Sequence, residues 1–180
     1  MKTLGMIGGT SWHSTIDYYR LIIEKTEEAQ GHTEATPPLL LYSIDIALMR
    51  TQDWDLVKNG YLQYARNLEK GGAEAIIICA HTPHKVIPFV GPQINIPFIH
   101  IAEGIGRKAR ELDIHKIGLI GTKPVTEEDF IKAPLQEQFG LEVLVPGRHD
   151  RFDLHKMIVK ELTQGKFTLE SKEKVIRVMD

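Results

Sequence analysis

The stretch MIGGTS, residues 6–11, joins a short apolar run to a helical pattern through a pair of glycines. The first three residues of this stretch end the apolar run TLGMIG (3–8). An amphipathic segment begins a few residues after the stretch. A second stretch of the same design, LIGTKP (119–124), also ends a strand-like run and precedes a helical pattern. The shared order of strand, glycine, threonine and helix predicts two similar α/β halves.

The rest of the chain alternates between the same two patterns. Six apolar runs are strand-like, and most are continuously apolar, as in strands covered on both faces: 3–8, 39–44, 73–80, 96–101, 116–122 and 141–146. Helical patterns cover 14–28, 53–70, 102–112, 126–138, 150–164 and 168–179. This alternation predicts an α/β fold with mostly parallel sheets, divided near residue 100.

Composition and charge argue against several classes of function. The net charge is −2 and the basic residues are scattered, which disfavours a nucleic-acid partner. No apolar run approaches the ~20 residues that span a bilayer, so we expect no membrane partner. The single cysteine cannot form an internal disulfide, which favours a cytoplasmic location.

Small or polar residues follow four of the predicted strands, at the edge where open α/β sheets bind ligands. These strand ends are Gly8–Ser11, Ser43 with Asp45, Cys79–Thr82, and Gly121 with Thr122. Backbone N–H groups near a helix N-terminus suit a carboxylate or phosphate. The glycine pair lacks a complete G-x-G-x-x-G motif and a P-loop lysine, which disfavours dinucleotides and nucleoside triphosphates. It is either a tight turn or a binding site for a small anion.

The only cysteine, Cys79, is either a buried small hydrophobe or a reactive thiol. Thr82 is the predicted N-cap and Pro83 the first residue of the next helix, so the helix dipole would favour the thiolate. We therefore predict that the Cys79 pKa lies below ~8.5, the unperturbed value. His81 could polarise a carboxylate, and His84 could hydrogen-bond on the helix surface. With no further ligand nearby in sequence, we expect no metal.

Four longer stretches resemble the aspartate/glutamate racemase family: MKTLGMIGGTSWHSTIDYYRLI (1–22), GAEAIIICAHTPHKV (72–86), IPFIHIAEGIGRKA (96–109) and KIGLIGTKPVTEEDFIKAPLQEQFGLEVLVP (116–146). The resemblance runs along essentially the whole chain in the right order. It implies two pseudo-symmetric Rossmann-like domains, 1–100 and 101–180, with the active site between them. It also implies a homodimer that racemises a small amino acid or dicarboxylate substrate with no cofactor and no pyridoxal phosphate.

The same resemblance assigns roles to individual residues. Cys79 matches the first of two catalytic cysteines, which remove and deliver the α-proton on opposite faces of the substrate. The positions that match substrate-binding residues are Gly9, Thr10, Ser11, Arg50, His81, Thr82, Gly121 and Thr122. His81 stands where the family pattern has Asn, and Thr10 where Met is commoner.

The chain also departs from the family pattern. The resemblance implies a second cysteine, in a Gly-Cys-Thr-Glu motif after one more helix and strand. The chain has no second cysteine. We therefore expect a second domain that lacks its C-terminal part, and an amino-acid racemase that carries one of two thiols. Two alternatives stay open: a carboxylate-binding pseudoenzyme, and a decarboxylase-like enzyme whose single thiol protonates an enediolate.

Overall fold

The computed structural model describes residues 1–179 and shows an α/β protein with parallel strands. The last residue of the expected second domain, Asp180, lies outside the described residues. The chain divides into two units, residues 1–99 and the part from His100 onward. Within the described residues, none of the helices combines the length and apolar content that crossing a bilayer requires.

A three-stranded parallel sheet forms the centre of the first unit. Its strands, in spatial order, are β2 (Leu39–Ser43), β1 (Leu4–Gly8) and β3 (Ala75–Ile78). The register pairs Ile7 of the central strand with Tyr42 on one side and Ile78 on the other, so the three strands end at one edge. The predicted strands at 3–8, 39–44 and 73–80 and their parallel pairing are confirmed.

Helices follow each of these strands, and one of them buries its apolar face against the sheet. They are α1 (Trp12–Gln30), α2 (Ile46–Arg50), α3 (Trp54–Lys70) and α4 (Ile87–Val90), with 3₁₀ helices at Thr82–Val86 and Gly91–Gln93. The residues of α3 at helical spacing, Val57, Tyr61, Ala65 and Leu68, are buried in the core of the unit. This spacing places one face of α3 along the sheet.

The predicted strand at 96–101 is wrong. The segment makes only one bridge to β3, at Phe98, and a helix begins directly after His100. Pro97 has no N–H to donate to a sheet ladder, which limits pairing. The His100 side chain then accepts from the helix backbone, and Glu103 reaches back to the His100 N–H, forming a capping box. These local bonds end the extended segment and start the helix.

The second unit contains a parallel strand pair and five helices within the described residues. They are α5 (Ile101–Glu111), β4 (Lys116–Gly118), α6 (Lys123–Glu127), α7 (Asp129–Phe139), β5 (Glu142–Leu144), α8 (Arg148–Lys160) and α9 (Leu169–Met179). The helix predicted at 126–138 is two helices, α6 and α7. The helix predicted at 150–164 ends earlier, and a short 3₁₀ helix, Leu162–Gln164, follows it. The packing of α5 on α7 is close, since a Cβ added at Gly106 would collide with the Phe139 ring.

Candidate active site

The carboxyl ends of β1 and β3 lie side by side in the first unit. The Cys79 N–H donates to the Ile7 carbonyl at 2.9 Å, which extends the β1–β3 ladder by one residue. On the other side of β1, the Ile44 N–H donates to the Gly8 carbonyl at 3.0 Å. The loop after β1 therefore lies next to the segment that follows β3. These two segments contain the predicted site residues Gly9, Thr10, Ser11, Cys79, His81 and Thr82.

The loop after β1 is held by the first turn of α1. Gly9 has a φ of +89°, and a Cβ there would collide with the backbone of Ile44, so the position requires glycine. The Gly9 N–H donates to the Thr15 hydroxyl at 3.0 Å, and that hydroxyl donates to the Ser11 carbonyl at 2.9 Å. The Gly9 N–H is thus already used within the protein. An anion at this loop would have to bind its other donors, which lie at Thr10 and at the α1 N-cap, Ser11.

Thr10 contacts a tyrosine that sequence reasoning did not single out. The Thr10 hydroxyl lies 3.1 Å from the hydroxyl of Tyr61, whose side chain is fully buried on α3. The Tyr61 ring meets Tyr64 edge-on with centroids 5.9 Å apart, and Tyr64 stacks on Tyr42 of β2 at 4.6 Å. The helical spacing of α3 indicates a core position for Tyr61. A buried phenol needs a hydrogen-bond partner, and this need was the one feature that could have indicated a polar role for Tyr61.

The Cys79 thiol is buried, with 1% of the residue exposed. Burial raises its pKa from an ordinary 9.0 to about 12, because the thiolate loses solvation. Two tyrosines interact electrostatically with the thiol, Tyr18 on α1 and Tyr61 on α3. Burial raises the pKa of both phenols, and a negative charge on Cys79 raises it further. All three groups therefore favour their neutral forms.

The prediction of a lowered Cys79 pKa is wrong. Thr82 is not the N-cap: His81 occupies that position, and Thr82 and Pro83 begin a 3₁₀ helix of five residues with no side-chain cap. A segment this short has few aligned peptide dipoles, so its field at the thiol is small. The loss of solvation is the larger effect and sets the direction of the shift.

The two histidines near Cys79 have different environments. His84 is buried rather than on the helix surface, and its Nδ1 lies 2.8 Å from the Ala80 carbonyl and 3.2 Å from the His81 carbonyl. Because a carbonyl only accepts, Nδ1 carries the proton and fixes the turn after Cys79. His81 keeps contact with water, yet partial desolvation lowers its pKa, which leaves it neutral at pH 7. Among the described residues, no three His, Cys, Asp or Glu side chains group as metal ligands would.

The remaining predicted residues lie on other elements. Arg50 is exposed in the last turn of α2, in the same unit as Cys79. Gly121 and Thr122 lie in the second unit, after β4, where Thr122 is the N-cap of α6. The next backbone N–H, that of Lys123, donates to Nδ1 of His155 at 3.2 Å.

The family model described as Asp/Glu/Hydantoin racemase matches residues 7–180. The chain belongs to this racemase family. The match covers both units, including the loop after β1 and the segment around Cys79. In this member of the family, the only thiol stands at a strand end beside a glycine-containing loop.

Solved structures agree with the family assignment. A candidate Asp/Glu racemase from Yersinia pestis is 35% identical, with a TM-score of 0.85, over 99% of this chain and 79% of that one. An aspartate racemase homologue from Pyrococcus horikoshii is 34% identical, with a TM-score of 0.79, over 98% of this chain and 77% of the other. An aspartate racemase from Picrophilus torridus shares the fold, with a TM-score of 0.68 at 17% identity over 99% of this chain and 75% of that one.

Proposed function

We propose that this racemase-family protein interconverts the enantiomers of an acidic amino acid without a cofactor, with Cys79 as a thiol acid and base. One observation carries the proposal: the only thiol in the chain follows β3 directly and lies beside the loop after β1. Strand ends of this kind are where open α/β sheets bind ligands. The acidic substrate is suggested by the names of two similar structures, an Asp/Glu racemase candidate and an aspartate racemase homologue.

The proposed reaction is a pair of proton transfers. The Cys79 thiolate takes the α-proton, and the electron pair of the broken C–H bond spreads into the carboxylate as an enediolate-like anion. A group on the opposite face then gives a proton to the α-carbon, which yields the other enantiomer and leaves Cys79 as the thiol. Within these 180 residues no second thiol can take this role, since Cys79 is the only cysteine among them. In the reverse direction Cys79 is the donor.

The proposed roles of the neighbouring residues follow from their chemistry. Hydroxyl and backbone donors of the two strand-end segments bind the α-carboxylate and stabilise the charge that develops on it. Neutral His81 adds one more donor. The proposed substrate-binding residues are Gly9, Thr10, Ser11, His81 and Thr82 in the first unit, Gly121 and Thr122 in the second, and Arg50 as partner of the side-chain carboxylate. Because Cys79 is buried, substrate access to the thiol requires nearby side chains to move.

The decisive experiment follows the α-proton of L-aspartate, and separately of L-glutamate, in deuterated water by NMR. Chiral chromatography of the same samples measures inversion. Exchange with inversion supports racemisation, and exchange with retention shows that only the Cys79 face is active. The Cys79→Ser variant keeps the shape of the side chain and should lose exchange. Exchange that persists in this variant would refute the role of Cys79, and binding without exchange would indicate a carboxylate-binding pseudoenzyme.

The role of Arg50 has its own test, with an exposed arginine on α3 as the matched control. Arg50→Ala removes the proposed partner of the side-chain carboxylate, so the KM for L-aspartate should rise about tenfold. Arg66→Ala removes a comparable exposed charge and should leave the KM unchanged. An equal effect of both substitutions would mean that general electrostatic attraction, and not a contact with Arg50, sets the affinity.

A second candidate function is favoured by the raised pKa of the single thiol. A thiol that stays neutral is suited to donate a proton, as in an enzyme that protonates the enediolate left by loss of carbon dioxide. Incubation with a 2-substituted malonate, with release of carbon dioxide as the readout, tests this reaction. Release of carbon dioxide by the wild type that disappears in the Cys79→Ser variant would favour decarboxylation over racemisation.

We also propose that the protein is a homodimer in a reducing compartment such as the cytoplasm. The dimer is supported by an apolar stripe on α1, where Trp12, Ile16 and Tyr19 are 60%, 54% and 50% exposed at helical spacing. Light scattering after gel filtration should show a dimer that Ile16→Glu converts to a monomer. Leu112→Glu, at another exposed apolar residue, is the control and should leave the dimer intact. The single cysteine supports the reducing compartment, which cell fractionation tests.

A further inference from the structure

The phenol of Tyr61 is a polar group inside the core of the first unit. The side chain is fully buried, and 0% of the residue is accessible to water. A buried hydroxyl needs a hydrogen-bond partner, because leaving it unpaired costs more than the bond itself contributes. Its partner is the Thr10 hydroxyl at 3.1 Å. Tyr61 therefore links the core of α3 to the loop after β1.

The direction of this hydrogen bond follows from the chemistry of the two hydroxyls. A phenol is a stronger donor than an aliphatic alcohol, and burial keeps Tyr61 protonated by raising its pKa. Either hydroxyl can donate in this pair, and the stronger acidity of the phenol favours Tyr61 as the donor and the Thr10 oxygen as the acceptor. In that arrangement the Thr10 hydroxyl proton points away from Tyr61, toward water or a ligand. Within residues 1–179, Tyr61 is the only hydrogen-bond partner of the Thr10 hydroxyl, so this donor is available to a ligand.

The available donor lies on the segment that follows β1, and Cys79 lies on the adjacent segment that follows β3. Backbone pairing holds the loop that contains Thr10 beside Cys79, and the same Tyr61 phenol that contacts Thr10 also interacts electrostatically with the Cys79 sulfur. A substrate whose α-carbon meets that sulfur has its α-carboxylate one bond away from the reacting carbon. A fixed donor at this place would serve the carboxylate best when charge builds up on it.

We propose that Tyr61 is a positioning residue that orients the Thr10 hydroxyl as a hydrogen-bond donor to the substrate α-carboxylate. This inference rests on the proposed function and adds a specific donor and its support to it. The edge-on contact with Tyr64, and the stacking of Tyr64 on Tyr42, hold the Tyr61 ring in place. Tyr61 itself does not touch the substrate: it acts through Thr10.

The test compares variants of both residues by L-aspartate affinity and by the rate of α-proton exchange. Thr10→Val removes the hydroxyl and should lower kcat about tenfold or more, with a smaller change in KM, because the bond strengthens as charge develops. Thr10→Ser keeps the hydroxyl and should recover most of the loss. Tyr61→Phe should lower kcat about fivefold by releasing Thr10 from its orientation. Tyr64→Phe, on the same helix, is the matched control and should stay within about twofold of wild type.

A double variant separates positioning from general damage. If Tyr61 acts through Thr10, Thr10→Val with Tyr61→Phe should be no slower than Thr10→Val alone, within about twofold. Multiplying losses would overturn the inference, and so would equal rates for Thr10→Val and Thr10→Ser. The second comparison can overturn the inference even if Tyr61→Phe unfolds.

Failure of this inference is distinguishable from failure of the proposed function. Exchange that depends on Cys79 but not on the Thr10 hydroxyl would overturn the inference and leave the function standing. Binding of L-aspartate that weakens about tenfold in Thr10→Val and recovers in Thr10→Ser, without any exchange, would support the donor and refute the racemase. Absence of both binding and exchange in the wild type would overturn both.

Discussion

The thiol of Cys79 should stay neutral to well above pH 9 in the folded protein, and this should make the protein less stable in alkaline solution. Burial raises its pKa from 9.0 to about 12, so about one molecule in 100,000 carries the thiolate at pH 7. The unfolded chain has no such burial and ionises near the ordinary value. Between these two pKa values, unfolding releases a proton that the folded state retains.

The sign and size of the effect follow from this difference. Below pH 9 both states are protonated and the thiol has no effect on stability. As pH rises above 9 only the unfolded state ionises, so the free energy of unfolding falls. At pH 10 the loss from this one group is about 1.4 kcal/mol, and it grows by about the same amount for each further unit until the folded thiol ionises.

Two measurements test this prediction. Because Cys79 is the only cysteine, labelling with cysteine enriched in ¹³C at Cβ gives one resonance, which should stay unchanged through pH 10. Urea unfolding followed by tryptophan fluorescence reports on the first unit, since Trp12 and Trp54 both lie there. Wild type should lose about 1.4 kcal/mol more than Cys79→Ser between pH 7 and pH 10. A resonance that titrates with a midpoint below ~8.5 would refute the reasoning and restore the activated thiol.

Three further predictions concern packing within each of the two units. Gly9→Ala should destabilise the first unit by about 2 kcal/mol or more, through its positive φ and a backbone collision, as measured by urea unfolding with tryptophan fluorescence. His84→Ala should cost the same unit about 2–3 kcal/mol because two carbonyls lose their donor, and His84→Asn should cost less if its amide still reaches one of them. On α5, Gly106→Ala should destabilise the second unit by about 1–3 kcal/mol, whereas Gly104→Ala, which meets nothing within 4 Å, should stabilise it by about 0.5–1 kcal/mol. Hydrogen exchange in α5 measures the stability effects of the Gly106 and Gly104 substitutions. Equal effects at the two glycines would contradict this prediction.

The patterns that predicted the fold correctly are those that depend on local sequence and burial. Continuous apolar runs gave β1 and β3 because parallel strands covered on both faces need apolar residues on both. The predicted helix at 168–179 is confirmed as α9 by the same kind of periodicity. The strand predicted at 96–101 failed because an apolar pattern does not show which backbone groups can pair. Pro97 removes a donor there, and His100 is an unusual N-cap that the usual Ser, Thr, Asp and Asn signals do not cover.

The sequence predicted that the two candidate segments lie at neighbouring strand ends, but it did not predict the environments of their side chains. The two strand ends that carry Thr10 and Cys79 were identified, and the structure places them side by side because parallel pairing aligns them. The direction in which the thiol pKa shifts depends on how deeply distant parts of the chain bury the sulfur. The sequence around Cys79 shows the following helix but not Tyr18 or Tyr61, which come from α1 and α3. Tertiary desolvation therefore reversed an expectation built on a local dipole.

A buried neutral thiol has opposite consequences for the two directions of a racemisation. It is the form that donates a proton, so the free protein is ready for the donor step, while the base step requires a thiolate that the free site seldom holds. Burial raises the pKa of Cys79, and within residues 1–179 no cation offsets this effect. On the proposed function the missing positive charge is the ammonium group of the substrate, since an opposite charge within ~4–6 Å lowers a pKa by about 1–3 units. Saturating L-aspartate should therefore shift the midpoint of the Cys79 resonance downward, whereas succinate, which has both carboxylates and no ammonium group, should bind without lowering it. Equal midpoints with the two ligands would show that the base form of Cys79 is not produced by its substrate.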